Sequence, residues 1–275
     1  MTATSARPTN EQRIERWTRE TAQLRQLARN APPVEPGSSL AADDDAFPLY
    51  PASQVAWISI CSAIDHHDMF LKTLCSTRTG FPFGYDTLAR SAIIGAARAL
   101  WVLDGPRLER IGKALRVAYE DYRQERATHE ETRMLFPEHF DSYGEQIALL
   151  DDRMARALAA GQRIRISASA VKTRPHDTEI IRYVAERFAS GETDPRLIVV
   201  GYMLGWRDGS GAAHGLRWTA MRRSAEVRED ANSRPHYRAS ADIDKIVATA
   251  GRVHLLTCRS VELYDRRRRS YTRSG

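Results

Sequence analysis

The chain has 275 residues, a net charge of +6, and 42% hydrophobic against 28% charged residues, a balance that argues against a disordered polymer and leaves ample material for a buried core. It has no run of about 18 apolar residues, which argues against a transmembrane helix. Its three cysteines, Cys61, Cys75 and Cys258, have neither zinc nor redox spacing. The opening stretch MTATSARPTNEQRIERW lacks the apolar centre of a secretory signal, so a cytoplasmic protein with reduced thiols is expected. Of the 41 basic residues 37 are arginine. The guanidinium fork matches phosphate geometry, but most of these arginines alternate with acids along helix faces, as in an Ala- and Arg-rich bacterial coding sequence.

A first helix is expected from about Asn10 to Ala28, with Asn10 as its cap and Ile14, Trp17, Leu24 and Leu27 as a broken apolar stripe. Residues 30–51 are rich in Pro, Ser and Asp and read as a linker, so residues 1–50 form an N-terminal helical arm that docks loosely or serves in dimerisation. Helices follow at about 53–77 and 85–104. The second of these is the most apolar, and its small residues Ala92, Gly95, Ala96 and Ala99 suit close approach by a neighbour at the centre of a bundle. Pro106 opens the next helix, which reaches about Glu130, and another spans roughly 140–160. The alternating RIRISASAV (163–171) has no partner strand and reads as a loop. Further helices are expected at about 177–189, 195–206, 210–224 and 241–264, with a loop over 228–240. The arginine-rich residues 265–275 read as a disordered tail. The fold class is all-α: a multi-helix bundle over 51–264 with a peripheral arm and a basic tail.

The stretch WRDGSGAAHG, Trp206 to Gly215, draws the most attention. Ser210 between two glycines is a natural N-cap, which would place His214 in the first turn of a new helix. Unpaired amides there attract anions and would keep a histidine neutral and ready to take a proton. Arg207 lies just upstream, and even in one unbroken helix seven residues return both side chains to one face. An arginine and a neutral histidine beside an anion site suit phosphodiester cleavage, with His214 activating a 2′-hydroxyl and Arg207 holding the phosphate. An ordinary Gly-Ser-Gly turn with a structural histidine accounts for the same letters.

Arg207, Asp208 and His214 resemble the R-x4–6-H motif of the HEPN superfamily. The resemblance implies an all-helical, metal-independent ribonuclease of the toxin or defence type that acts as a homodimer on RNA, with a cognate antitoxin as partner and no cofactor. A longer resemblance joins SAIDHHDMFLKTL, TLARSAIIGAARALWVLDGP and GSGAAHG to a group of uncharacterised helical proteins common in actinobacteria. In that group a glutamate is expected four residues after Arg90, where this chain has Ile94.

Four other features carry weaker signals. The run Asp65-His66-His67-Asp68 contains the His-Asp pair of metal phosphohydrolases, with His129, His139 and His176 available as further ligands. Lining of a pocket by Asp65 or His66, without metal, is the preferred reading. Arg98 lies deep in the apolar helix, where Asp65 or Asp68 would pair with it; Arg90, in the first turns of that helix, can reach solvent. Tyr202, Trp206 and Trp218 can stack bases or anchor a core. Arg266 to Arg269 and Arg273 can hold nucleic acid electrostatically. The expected site is therefore Arg207 and His214 as catalytic pair, with Ser210, Asp208, Arg98, Asp65 and His66 binding ligand. The alternative is a non-catalytic helical module that binds a small ligand or a protein partner.

Overall fold

The structure, a computed structural model, describes residues 8–77, 80–136, 138, 140–188, 194–222, 224–229, 235–239 and 241–270; of residues 140, 224–229 and 235–239 it describes the backbone alone. Among the described residues there are eleven helices: α1 (Asn10–Arg29), α2 (Ser39–Asp44), α3 (Ala52–Thr77), α4 (Gly84–Leu103), α5 (Arg107–Leu135), α6 (Phe140–Arg163), α7 (Ala168–Lys172), α8 (Asp177–Phe188), α9 (Pro195–Ala213), α10 (Arg217–Met221) and α11 (Ile243–Arg268). The protein is all-α. One antiparallel hairpin, β1 (Ser224–Glu229) with β2 (Pro235–Ala239), pairs Val227 with Tyr237 and Arg228 with His236. It falls where a helix end and a loop were expected; Val227 and Tyr237 are of residue types that favour strands.

The chain groups into two compact units. The first comprises Met1–Pro32, Ser59–Ala97 and Ile181–Val261, and the second Pro33–Ile58, Arg98–Ile180 and Glu262–Gly275. The expected arm over residues 1–50 is thus divided between them.

In the first unit α1 is packed in place. Thr9, not Asn10, caps it through a reciprocal capping box with Gln12, which satisfies two first-turn donors. Asn10 instead donates to Asp244 at 2.8 Å. Trp17 is buried, and its ring stands where a Cβ on Gly251 of α11 would be, 2.8 Å away. Arg25 of α1 reaches Asp68 of α3 at 2.5 Å. The close helix approach expected at the small residues of α4 is present at Gly95, where an added Cβ would lie 2.7 Å from the Ser59 carbonyl and 3.0 Å from the Ala63 nitrogen.

The second unit has its own core, in which Phe47, Ile111, Leu115, Tyr122 and Leu150 pack together. The stretch read as a linker holds α2, because Ser38 accepts from the Ala41 amide, Leu40 is wholly buried, and buried Asp43 takes both arms of the Arg110 guanidinium at 2.7 and 2.9 Å. RIRISASAV turns through Arg165 (φ 63°) into α7, which Ser167 caps. Three cations close the carbonyl end of α4: Arg267 donates to Leu103, Lys113 to Asp104 and Arg110 to Gly105, where the helix dipole favours positive charge. The helix α11 carries the chain further than expected, to Arg268, and the Ser270 amide donates to Glu35. Arg273 and His139 lie outside the described residues.

Candidate functional site

The stretch 206–215 is not a helix break. Asp194 caps α9 and Pro195 opens it, after which the helix runs unbroken to Ala213, so the expected Ser210 cap does not form and Ser210 is an interior helix residue. The glycines serve close packing. A Cβ on Gly209 would stand 2.3 Å from the Asp86 carbonyl and 2.5 Å from the Arg90 Cβ, both on α4, and one on Gly211 would stand 2.2 Å from Thr219. Two glycines cost this helix about 1 kcal/mol each in propensity, which the packing offsets.

His214 is the C-cap of α9, and Gly215 follows at φ 63°. The Gly215 amide donates to Ala212 and the Leu216 amide to Gly211, at 3.1 and 2.9 Å, a Schellman motif that needs the left-handed residue glycine supplies. His214 therefore stands at the carbonyl end of a helix, where the dipole is negative, and the expected amide-rich anion site is absent. Side chains must hold any anion there.

The other half of the expectation stands. Arg207 and His214 are both exposed, and seven helical residues turn about 700° and rise about 10.5 Å, which puts them on one face two turns apart. Neither side chain has a hydrogen-bond or ion-pair partner among the described residues. Asp208 pairs with Arg222 at 3.0 Å. Of the flanking aromatics, Tyr202 is buried and donates to the Arg252 carbonyl, whereas Trp218 is exposed beneath the Arg222 guanidinium.

The remaining expected residues are not gathered with this pair. Arg98 bonds Asp177 at 3.2 Å, not Asp65 or Asp68, and both belong to the second unit. Asp65 is exposed, His66 shares its Nδ1 proton with the Ser62 carbonyl at 2.7 Å, and Asp68 is taken by Arg25 and Lys72. Successive helix positions differ by 100°, so of the four residues of DHHD only Asp65 and Asp68, about 60° apart, share a side of the helix. Among the described residues no three His, Cys, Asp or Glu side chains are placed to share a metal ion.

Two features of the first unit were not legible in the sequence. One is a chain of buried polar groups. His254 of α11 approaches the Glu20 carboxylate with Nε2 at 2.7 Å and fully buried His67 with Nδ1 at 3.2 Å. A carboxylate only accepts, so the neutral His254 ring donates from Nε2, and His67 donates from its own Nε2 to His254 Nδ1. His67 Nδ1 is left as a buried lone pair without a partner among the described residues. Burial, reinforced by His254, pushes His67 down to about 3, and burial also lowers His254 against the opposing pull of Glu20.

The other is a cavity of about 420 Å³ between α4, α9 and α11, whose lining includes Asp86, Asp208, Arg222, Asp242, Lys245 and Arg252. It adjoins an apolar space of about 300 Å³, with Phe81, Pro82 and Tyr85 common to both. Of the expected site residues only Asp208 lines it.

Comparison of the chain with protein-family models, with curated proteins and with solved structures gives no match. Among the described residues no helix is long and apolar enough to cross a membrane.

Proposed function

We propose that α9 carries an RNA-cleaving face of the HEPN type. One observation supports the reading: because α9 is unbroken, Arg207 and His214 share one exposed helix face, and among the described residues neither side chain is engaged elsewhere. In the proposed step His214 takes the proton of a ribose 2′-hydroxyl, and the resulting oxygen attacks the adjacent phosphorus. Arg207 holds the non-bridging oxygens as charge develops, and the bond to the 5′-oxygen breaks while that oxygen takes a proton from solvent water, giving a 2′,3′-cyclic phosphate and a 5′-hydroxyl. The exposed Trp218 ring, just beyond His214, offers a base a stacking surface. A homodimer that closes two such faces into one cleft, held in check by an antitoxin protein, completes the proposal.

The test is cleavage of single-stranded RNA by the purified chain in EDTA. Substituting His214→Ala removes a general base and lowers the rate about 10²- to 10⁴-fold, and Arg207→Ala lowers it about 10²- to 10³-fold. Undiminished cleavage by the His214 variant, or none by the parent, overturns the reading.

A further inference from the structure

The cavity of the first unit is a second candidate site, independent of the cleavage reading. Among the described residues three cations line it, and two are already neutralised: Arg222 pairs with Asp208 at 3.0 Å and Lys245 with Asp242 at 3.3 Å. The third is Arg252 of α11. Asp86 acts on it electrostatically without forming an ion pair with it, and already makes a contact of its own, so it supplies no free charge to a ligand. Arg252 is held in place by its neighbours. Its stem passes Gly201 of α9, where a Cβ would lie 3.3 Å from Cδ, and Thr249 accepts from its Nη2 at 2.9 Å. Its buried Nε has no acceptor among the described residues. A guanidinium keeps its charge under burial, and a buried charge without a counter-ion is costly unless something anionic reaches it.

The adjoining space gives the rest of the ligand its character. Phe81, Pro82 and Tyr85 are common to both spaces, and Phe83 and Leu88 wall the apolar one further. An anion that reaches Arg252 can therefore lay its remainder against apolar side chains, the usual division of a small-molecule site into a wide apolar lining and a few placed polar groups. The lining also carries three carboxylates, Asp86, Asp208 and Asp242, which oppose the two negative charges of a phosphate more than the single charge of a carboxylate. We propose that the cavity binds a monocarboxylate with a hydrocarbon tail: its carboxylate on Arg252, its tail between Phe81, Tyr85 and Leu88.

The test is calorimetric titration of the full chain with sodium octanoate and decanoate, beside butyrate, 1-octanol, octylammonium and inorganic phosphate. Saturable binding of at least one of the two long carboxylates, at one site per chain, is expected. Each buried methylene strengthens binding about fourfold, so butyrate is expected to bind about tenfold or more weakly. The two analogues without a carboxylate are expected to lose about tenfold or more as well, and phosphate not to compete. Arg252→Gln and Leu88→Ser, each checked for helix content, are expected to weaken the long carboxylate by a similar factor. No heat from octanoate or decanoate up to about 10 mM, uptake that does not saturate, equal binding of butyrate, octanol or octylammonium, displacement by phosphate, or undiminished binding by folded Arg252→Gln overturns the proposal. The analogue series needs no variant, so it decides the matter even where a substitution unfolds the chain. None of these outcomes bears on RNA cleavage, which is read separately.

Discussion

At the scale of the residue, the chain Glu20–His254–His67 carries the clearest physical consequence. Both histidines titrate below the ordinary value of 6.5 because burial disfavours their charged form. The unfolded chain therefore binds protons that the folded one refuses. Their contribution to stability is full above pH 6.5 and is lost as pH falls from there, for His67 down to about 3, at up to about 1.4 kcal/mol per pH unit for each group. Midpoints of thermal unfolding are thus expected to drop steadily between pH 7 and pH 4, and His67→Leu is expected to flatten that slope although it lowers the midpoint at pH 7. A slope unchanged by the substitution would sink the account. The sequence drew attention to DHHD, but the partner that gives His67 its role lies 187 residues away, and no spacing rule reaches so far. The arginines show the same limit. Their number left phosphate binding and pairing with acids along helix faces as the two readings, whereas several donate to backbone carbonyls: Arg116 to Thr173, Arg267 to Leu103, Arg268 to Pro33.

At the scale of the element, α3, α4 and α5 begin within one residue of where periodicity put them, because their apolar stripes face a core and the 3.6-residue repeat reports that directly. Residues 206–215 misled because glycine has two uses. It was read as a breaker, and in α9 it is the absence of a side chain where α4 passes. The two uses respond differently to substitution. Gly209→Ala places a methyl 2.3 Å from the Asp86 carbonyl, on backbone that cannot yield, and Gly95→Ala does the same 2.7 Å from the Ser59 carbonyl; each is expected to cost about 1–3 kcal/mol. Gly215→Ala meets nothing within 4 Å and is strained only by its φ of 63°, costing about 1 kcal/mol. Denaturant titration of the three variants checks the order, and a Gly215 variant less stable than the Gly209 one would contradict the packing argument. Composition also concealed α2, since a stretch rich in Pro, Ser and Asp carries no signal that Leu40 and Asp43 are to be buried by tertiary contacts.

At the scale of the whole molecule, acid and alkali act through different groups. Between about pH 6.5 and 4.5 the buried groups that lose stability are His67 and His254, both in the first unit. In the second unit burial raises Asp43 and Asp44, so acid favours their folded form. Hydrogen exchange corrected for intrinsic rate is expected to rise at pH 5 in α1 and in residues 59–77 of α3, with α5 and α6 unchanged; the reverse pattern would refute it. At the alkaline end, burial raises Tyr50, whose hydroxyl donates to Asp121, and its edge-on neighbour Tyr122. Folded values above 10 mean stability present below pH 10 and lost above it. Tyr50→Phe is expected to extend tolerance upward by weakening that loss, measured as the unfolding midpoint at pH 10.5.

The unbroken course of α9 has one more consequence for the cleavage reading. Helical side chains all lean toward the N-terminus, so the rise of about 10.5 Å between Arg207 and the His214 two turns ahead of it is not shortened by their lean. A bond clasped by both groups is then better served by the arginine of one copy and the histidine of another. Inactive Arg207→Ala and His214→Ala chains, mixed and allowed to exchange subunits, would regain activity in trans, because each hybrid carries one site with both groups native. Were the two groups to act within one chain, the mixture would stay as silent as its parts.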